Sequence, residues 1–396
     1  MKKLDIYHFG DGGTYDEYNP FYVFEKTKAI EIVYLIASNE PYTIDKSIIQ
    51  KKLKMSWETC IETLNSLEKI KAIERKNDKY KVNFTIILEK DIDIIDKFSK
   101  ALAERLGDKI IGLEERINDK LSELKDYGVF PNSRLLYHIL GADIFDGIAF
   151  DYFGERDLFA VSKKQPDNRD YILVGYENSD KVRKYSKKLL CSHNGYTIDN
   201  FKFGSFGDCD GDRRDMYRFF RKVESSIGKA TNYEKLNVSY NKLNYNHNVM
   251  IMRDCFKLFT KILVDKVSIT DLSNNEKLIA DFLNELDYIN IDKKSHIITR
   301  KVPTFRGNDN KVIEEIAQLV LSEIYEDIKV AFNNIHNELI TLTPVKHGID
   351  IKEVANELWH QIFGSINEYF IIKEFFEKPF YNEGEGRYLR CVNICD

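Results

Sequence analysis

The sequence predicts a mainly α-helical protein with small β-sheets, and three observations carry that reading. Apolar residues recur at steps of three and four through most of the 396 residues. Twice, such a stripe runs into a short strand–turn–strand pattern. Only a middle stretch breaks the helical rhythm, with alternating and Gly-punctuated aromatic segments.

The first of these patterns, from Tyr42 to Phe84, organises the rest. Thr43 or Asp45 can cap a short helix whose Ile44, Ile48, Ile49 and Leu53 share one side. Met55-Ser56 breaks that pattern, and Ser56 suits the cap of a longer helix. There Trp57, Cys60, Ile61, Leu64, Leu67 and Ile70 form an apolar stripe, with Glu58, Thr59, Glu62, Thr63 and Ser66 on the other side. Ile73 starts an extended segment, Asn77-Asp78 signals a turn, and Tyr80, Val82 and Phe84 alternate as in a half-buried strand. Arg75, Lys76 and Lys79 sit at the tip, where a basic hairpin would meet phosphates.

Over about residues 27–84 this order resembles the winged helix-turn-helix of MarR/ArsR-type bacterial transcription regulators. The resemblance implies that Ser56, Trp57, Glu58, Thr59, Glu62 and Thr63 face the groove of double-stranded DNA. It places Arg75, Lys76 and Lys79 on the backbone, and Lys51 and Lys52 join them as phosphate contacts. One departure stands out: the reading face carries Glu58 and Glu62 and none of the usual Arg, Asn or Gln.

Composition bounds the class. A chain with 43% hydrophobic and 31% charged residues is a globular one, long enough for two or three domains. The longest apolar runs fall short of a bilayer and the start lacks a signal-peptide core, so a cytoplasmic protein without membrane contact is expected. Six scattered cysteines show no zinc spacing. The net charge of −5 excludes a uniformly basic coat. Charge is polarised instead, with ten Lys and Arg against six acids in residues 43–81, and eight against fifteen in residues 311–396.

Before the first pattern, Leu4, Ile6 and Tyr7 make a short extended start, Gly10 to Gly13 reads as a turn, and residues 25–37 read as one helix. After it, Ile92 to Leu124 reads as a long helix or a broken pair, either a homodimer seam or an internal packing face. Arg134 to Phe153 is helical in pattern. Leu158 to Val161 and Tyr171 to Val174 read as strands, Lys181 to Leu190 as a basic helix, and Tyr196 to Phe206 as strand and turn.

The last third echoes the first. Met250 to Val264 is an apolar helix, Ser273 or Asn274 can cap a second, and Leu278, Ile279, Phe282, Leu283 and Leu286 form its stripe. Tyr288 to Ile291 and His296 to Thr299 then supply strand and strand, followed by a long helix from Lys311 to Ile340. This reads as a second, degenerate winged-helix repeat, giving one chain the two-fold layout that such regulators reach by dimerising. Glu276, Asp281 and Glu285 on its helix weaken it as a DNA reader.

The expected domains are therefore an N-terminal winged-helix domain at 1–90, a helical dimerisation or packing region at 91–155 and a small α+β segment at 156–230. A second winged-helix-like domain follows at 231–310, then an acidic helical C-terminal region at 311–396. No catalytic set is evident: the eight histidines include no His-Glu-x-x-His, and there is no Gly-x-Ser-x-Gly elbow. Asp208, Asp210 and Asp212 have calcium-loop spacing, but Arg213 stands where the glycine belongs and Phe219 where the closing glutamate belongs, so an acidic turn is expected. No cofactor or metal is expected. The function read from the sequence is a DNA-binding transcription regulator with a small-molecule or protein effector still unidentified. The rivals are a protein-interaction or ligand-sensing scaffold built on winged-helix modules, favoured by the acids, and a plasmid-type replication initiator.

Overall fold

The computed structural model describes residues 4–160, 163–225 and 248–394. Helix makes up about 53% and strand 19%, so the fold is mainly α with small sheets. The chain folds as two compact units, each assembled from three separate segments.

Unit 1 comprises Met1–Leu106, Ala149–Lys187 and Glu323–Ile366. Strand Asp170–Glu177 runs antiparallel to Leu4–Asp11 and parallel to Thr85–Ile87. Beside it, helices Pro20–Phe24, Ala29–Ala37, Lys46–Leu53 and Trp57–Lys69 enclose a core that includes Ile32, Val33, Ile36, Ile49, Cys60, Leu64 and Leu67. The helix expected over residues 25–37 is broken. Asn19 caps a first turn, and Lys28 takes a left-handed φ of 63° before the second helix begins. A small sheet orders Ile44–Asp45, Lys79–Val82 and Ile73–Lys76. Its tip is a two-residue turn in which Asn77 and Asp78 both have positive φ, the geometry whose twist suits a tight hairpin.

Unit 2 comprises Gly107–Ile148, Lys188–Ser322 and Asn367–Asp396. Strand Gly386–Ile394 is parallel to Thr304–Arg306 and antiparallel to Phe201–Gly207, which pairs in turn with Ser192–Ile198. Helices Asn248–Val264 and Asn274–Glu285 pack on a core rich in Phe, including Phe201, Phe203, Phe219, Phe259 and Phe282. A second small sheet orders Val267–Ser268, Ile297–Arg300 and Ile289–Ile291.

The units follow one plan, visible in their hydrogen bonds. Asp91, 2% exposed, accepts from the Leu88 amide at 2.8 Å and the Thr343 amide at 3.0 Å. Asp309, also 2% exposed, accepts from Arg306 at 2.9 Å and Lys125 at 3.1 Å. Each carboxylate satisfies amides ahead of a long helix, Ile92–Ile111 or Asp309–Asn334, and ties it to an arm from the other half of the sequence. A second pair matches as well: Ala160 donates to the Lys352 carbonyl, and Glu377 donates to that of Ser133, each at 3.1 Å. Residues 323–366 thus build unit 1, and residues 107–148 build unit 2.

Several local expectations change. Ile92 to Leu124 is a pair, Ile92–Ile111 and Glu114–Leu121. Residues 134–153 are helical, but Tyr137–Ile148 winds as a π-helix. Leu158 and Phe159 form a bend and Ala160 is irregular rather than strand, and Val161 lies outside the described residues. Lys181 to Leu190 is helical only to Lys187. The 156–230 stretch divides between the units, because its strands find partners well over a hundred residues away; residues 226–230 lie outside those described.

Candidate nucleic-acid interface

Local chemistry sets the surface built by residues 45–82. Asp45 accepts from the Ile48 amide at 2.8 Å and caps Lys46–Leu53, which Lys54 ends in a left-handed conformation. Ser56 Oγ accepts from the Thr59 amide at 3.2 Å and starts Trp57–Lys69. Cys60, Leu64 and Leu67 anchor that helix inward. Ser56, Trp57, Glu58 and Glu62 are exposed, with Thr59 half-buried. Trp57, expected on the apolar stripe and also facing the groove, is 44% exposed.

Thr63 is the correction. It is only 2% exposed, and its hydroxyl donates to the Thr59 carbonyl at 2.9 Å with the Thr27 carbonyl at 3.2 Å. A residue packed that way cannot reach a base. Helical steps alone put it on the polar side; the packing of residues 26–29 against this helix covers it.

The hairpin gathers the cations. Lys76 and Lys79 are directly paired across the two strands, and Arg75 stands one residue back opposite buried Tyr80. All three are exposed. Arg75 lies 3.6 Å from both Glu68 and Asp78, and Lys76 sits 5.9 Å from the centre of the Tyr42 ring. Lys51 and Lys52 are exposed in the last turn of their helix. Glu62 is less free than its exposure suggests. Lys26 hydrogen-bonds it at 2.7 Å and thereby holds its carboxyl below the usual range.

Lys46 was not singled out by sequence reasoning. Its ammonium lies 4.0 Å from Asp78 at the hairpin turn and 5.9 Å from the Trp57 ring centre, so it links the hairpin to the helix start. A lysine at the first helical position carries no pattern that announces such a link.

An arm residue fixes the hairpin from behind. His347, 2% exposed, accepts from the Val82 amide through Nδ1 at 3.2 Å, and its Nε2 faces the Asn39 carbonyl at 3.1 Å. That pattern requires a neutral ring, and burial pushes its pKa down.

The second helix–hairpin region differs in its surface. Ser273 and Glu276 form a reciprocal capping box, so the Glu276 carboxylate is turned onto its own helix start. Asp281 is exposed and Glu285 half-buried. At its tip Lys293 and Lys294 are exposed, while Asp292 accepts from the amides of Lys294 and Ser295 at 2.9 and 2.6 Å.

Among the described residues no His, Cys, Asp and Glu group of three or more could hold a metal, and no helix is long and apolar enough to cross a membrane. Asp208 is engaged by Arg387 at 3.1 Å and by the Asp210 amide at 3.2 Å. No family model, no curated protein and no solved structure matches the chain.

Proposed function

We propose that this protein is a cytoplasmic, DNA-binding transcription regulator that uses a winged helix-turn-helix formed by residues 27–84. One observation carries the reading: Arg75, Lys76 and Lys79 converge on a tight exposed hairpin beside a helix that buries one face and exposes its first turn. Ser56, Trp57, Glu58 and Thr59 then face the groove, Lys51 and Lys52 flank it, and the hairpin cations meet the backbone. Lys46 holds helix and hairpin in register.

The test is binding of purified protein to duplex fragments from around its own gene, competed with random DNA across a salt series. A regulator gives a complex that outcompetes random DNA and weakens steeply with salt. A footprint that repeats in iterated sites instead identifies a replication initiator. The second reading, a winged-helix scaffold for proteins, draws on outward Glu58 and Asp281, which repel phosphates. Absence of any complex at low salt would decide for that scaffold.

A further inference from the structure

Helix Trp57–Lys69 turns one narrow ridge outward. Cys60, Thr63, Leu64 and Leu67 are buried, and opposite them around the helix stand Glu58, Glu62, Asn65 and Lys69. These four follow at steps of four, three and four, the spacing that lines side chains up along one helix face. Glu58, Glu62 and Asn65 are exposed, and Lys69 is half-buried. Asn65 is the carboxamide missing from the face expected on sequence alone.

The ridge is not uniform. Lys26 hydrogen-bonds Glu62 at 2.7 Å, and Glu17 pairs with Lys69, whose ammonium also lies 4.5 Å from the centre of the Tyr18 ring. Both partners come from the segment just ahead of Thr27, whose carbonyl receives the Thr63 hydroxyl. At the helix start, Ser56 Oγ accepts from the Thr59 amide and donates to Thr59 Oγ1 at 2.9 Å, so these hydroxyls are engaged in capping. Glu58 and Asn65 differ from all of these. Among the described residues, neither side chain has a hydrogen bond or an ion pair, and both stand in solvent.

What the ridge offers a partner is therefore one carboxylate and one carboxamide. In the major groove a carboxylate accepts from the N4 amino group of cytosine, and a carboxamide pairs with both N6 and N7 of adenine. Guanine presents two acceptors there and needs Arg or Lys, but the one cation on the ridge is held by Glu17. Glu58 also carries a penalty, since an acid beside phosphates weakens binding to any duplex. A base that donates to it offsets that penalty, and other bases do not.

The spacing of the two side chains fits the spacing of bases. From Glu58 to Asn65 the helix rises about 10 Å. A duplex rises by the same amount over about three base pairs. A helix lying along the groove thus carries Glu58 and Asn65 to separate bases, with Glu62 between them turned back onto Lys26.

We propose that Glu58 and Asn65 are the specificity-determining pair of this interface, Glu58 selecting cytosine and Asn65 selecting adenine about three base pairs away. This rests on the DNA-binding reading of residues 27–84 and names the class of duplex that such an interface prefers, one with an amino-bearing base at each of the two positions. Glu62 and Lys69 stay on Lys26 and Glu17 and read no base.

The test selects duplexes from a random library with the full-length protein. Affinity is then measured, at one salt concentration, for the selected sequence and for each single base-pair replacement of it. Wild type should lose about tenfold or more when either the cytosine or the adenine is replaced. Glu58→Gln should exchange the cytosine preference for adenine, because a carboxamide now stands there, and Asn65→Ala should flatten the adenine position alone. Glu58→Gln should also bind random duplex at least as tightly as wild type, since it removes a charge that repels phosphates. Lys69→Gln should keep both preferences. A complex without base preference, or one whose preferences survive in Glu58→Gln or in Asn65→Ala, overturns this assignment and leaves the regulator reading standing. Absence of a complex with every duplex at low salt overturns both.

Discussion

The two helix–hairpin regions share a frame and differ in what they show to solvent. In the first, residues 46–53 form a helix that carries Lys46, Lys51 and Lys52; in the second, the 3-10 turn Ile269–Asp271 stands in its place and brings an acid instead. The first hairpin turns in two residues with three cations around it, while the second spends Asp292 on folding a longer tip. Even the clamp from behind differs at one matched strand position. Val82, opposite Ile73, donates to His347, whereas Arg300, opposite Ile289, is paired with Asp126. Burial conserves the frame, because each element needs a covered apolar face whatever its use. The exposed chemistry is free to diverge: Arg75, Lys76 and Lys79 surround the first tip, and Lys293 and Lys294 beside Asp292 the second.

The shared frame should break equally on either side. Asp91→Ala leaves two buried amides without an acceptor, and Asp309→Ala two part-buried ones. Chemical denaturation should show both losing about 2–4 kcal/mol. A difference larger than about 2 kcal/mol would mean that the matched bonds do not play matched parts.

The clamp should separate the two regions. His347→Ala leaves the buried Val82 amide unpaired, at a cost of about 1–3 kcal/mol. Its pKa is lower folded than unfolded, so the folded state holds fewer protons. The stability it contributes is full above the ordinary histidine value of 6.5 and is lost as pH falls below it. His138 and His193 share that sign in unit 2. Hydrogen exchange should therefore show the Lys79–Val82 strand losing protection on acidification in the wild type, with less pH dependence in His347→Ala. An unchanged pH profile in the variant would remove the clamp.

The caps should give the smallest effects. Ser56→Ala and Ser273→Ala should each cost about 1 kcal/mol, the second more because it undoes a reciprocal pair. Equal losses would show that the Glu276 arm of the box adds little.

Much of this frame is legible in the sequence because it is local. Ser56 and Ser273 announce caps, the Cys60–Leu64–Leu67 spacing gives a buried face, and Asn77-Asp78 marks the turn. The exchange of arms is not legible, since no pattern near Asp91 or Asp309 names Thr343 or Lys125 as the donor. For the same reason, Leu158 to Ala160 look like a strand by composition but find no strand partner. The candidate interface divides along the same line. Arg75, Lys76 and Lys79 follow from hairpin periodicity, whereas the burial of Thr63 and the position of Lys46 depend on packing from elsewhere.

The most direct test of the account is the salt dependence of DNA binding in three proteins: wild type, the Arg75→Glu/Lys76→Glu/Lys79→Glu variant, and the Lys293→Glu/Lys294→Glu variant. If the first hairpin carries the phosphate contacts, the triple variant should bind about a hundredfold more weakly, with its log–log salt slope reduced by about 3. The double variant should stay within about threefold of wild type. Equal salt slopes in the wild type and the triple variant, or the larger loss in the double variant, would contradict it.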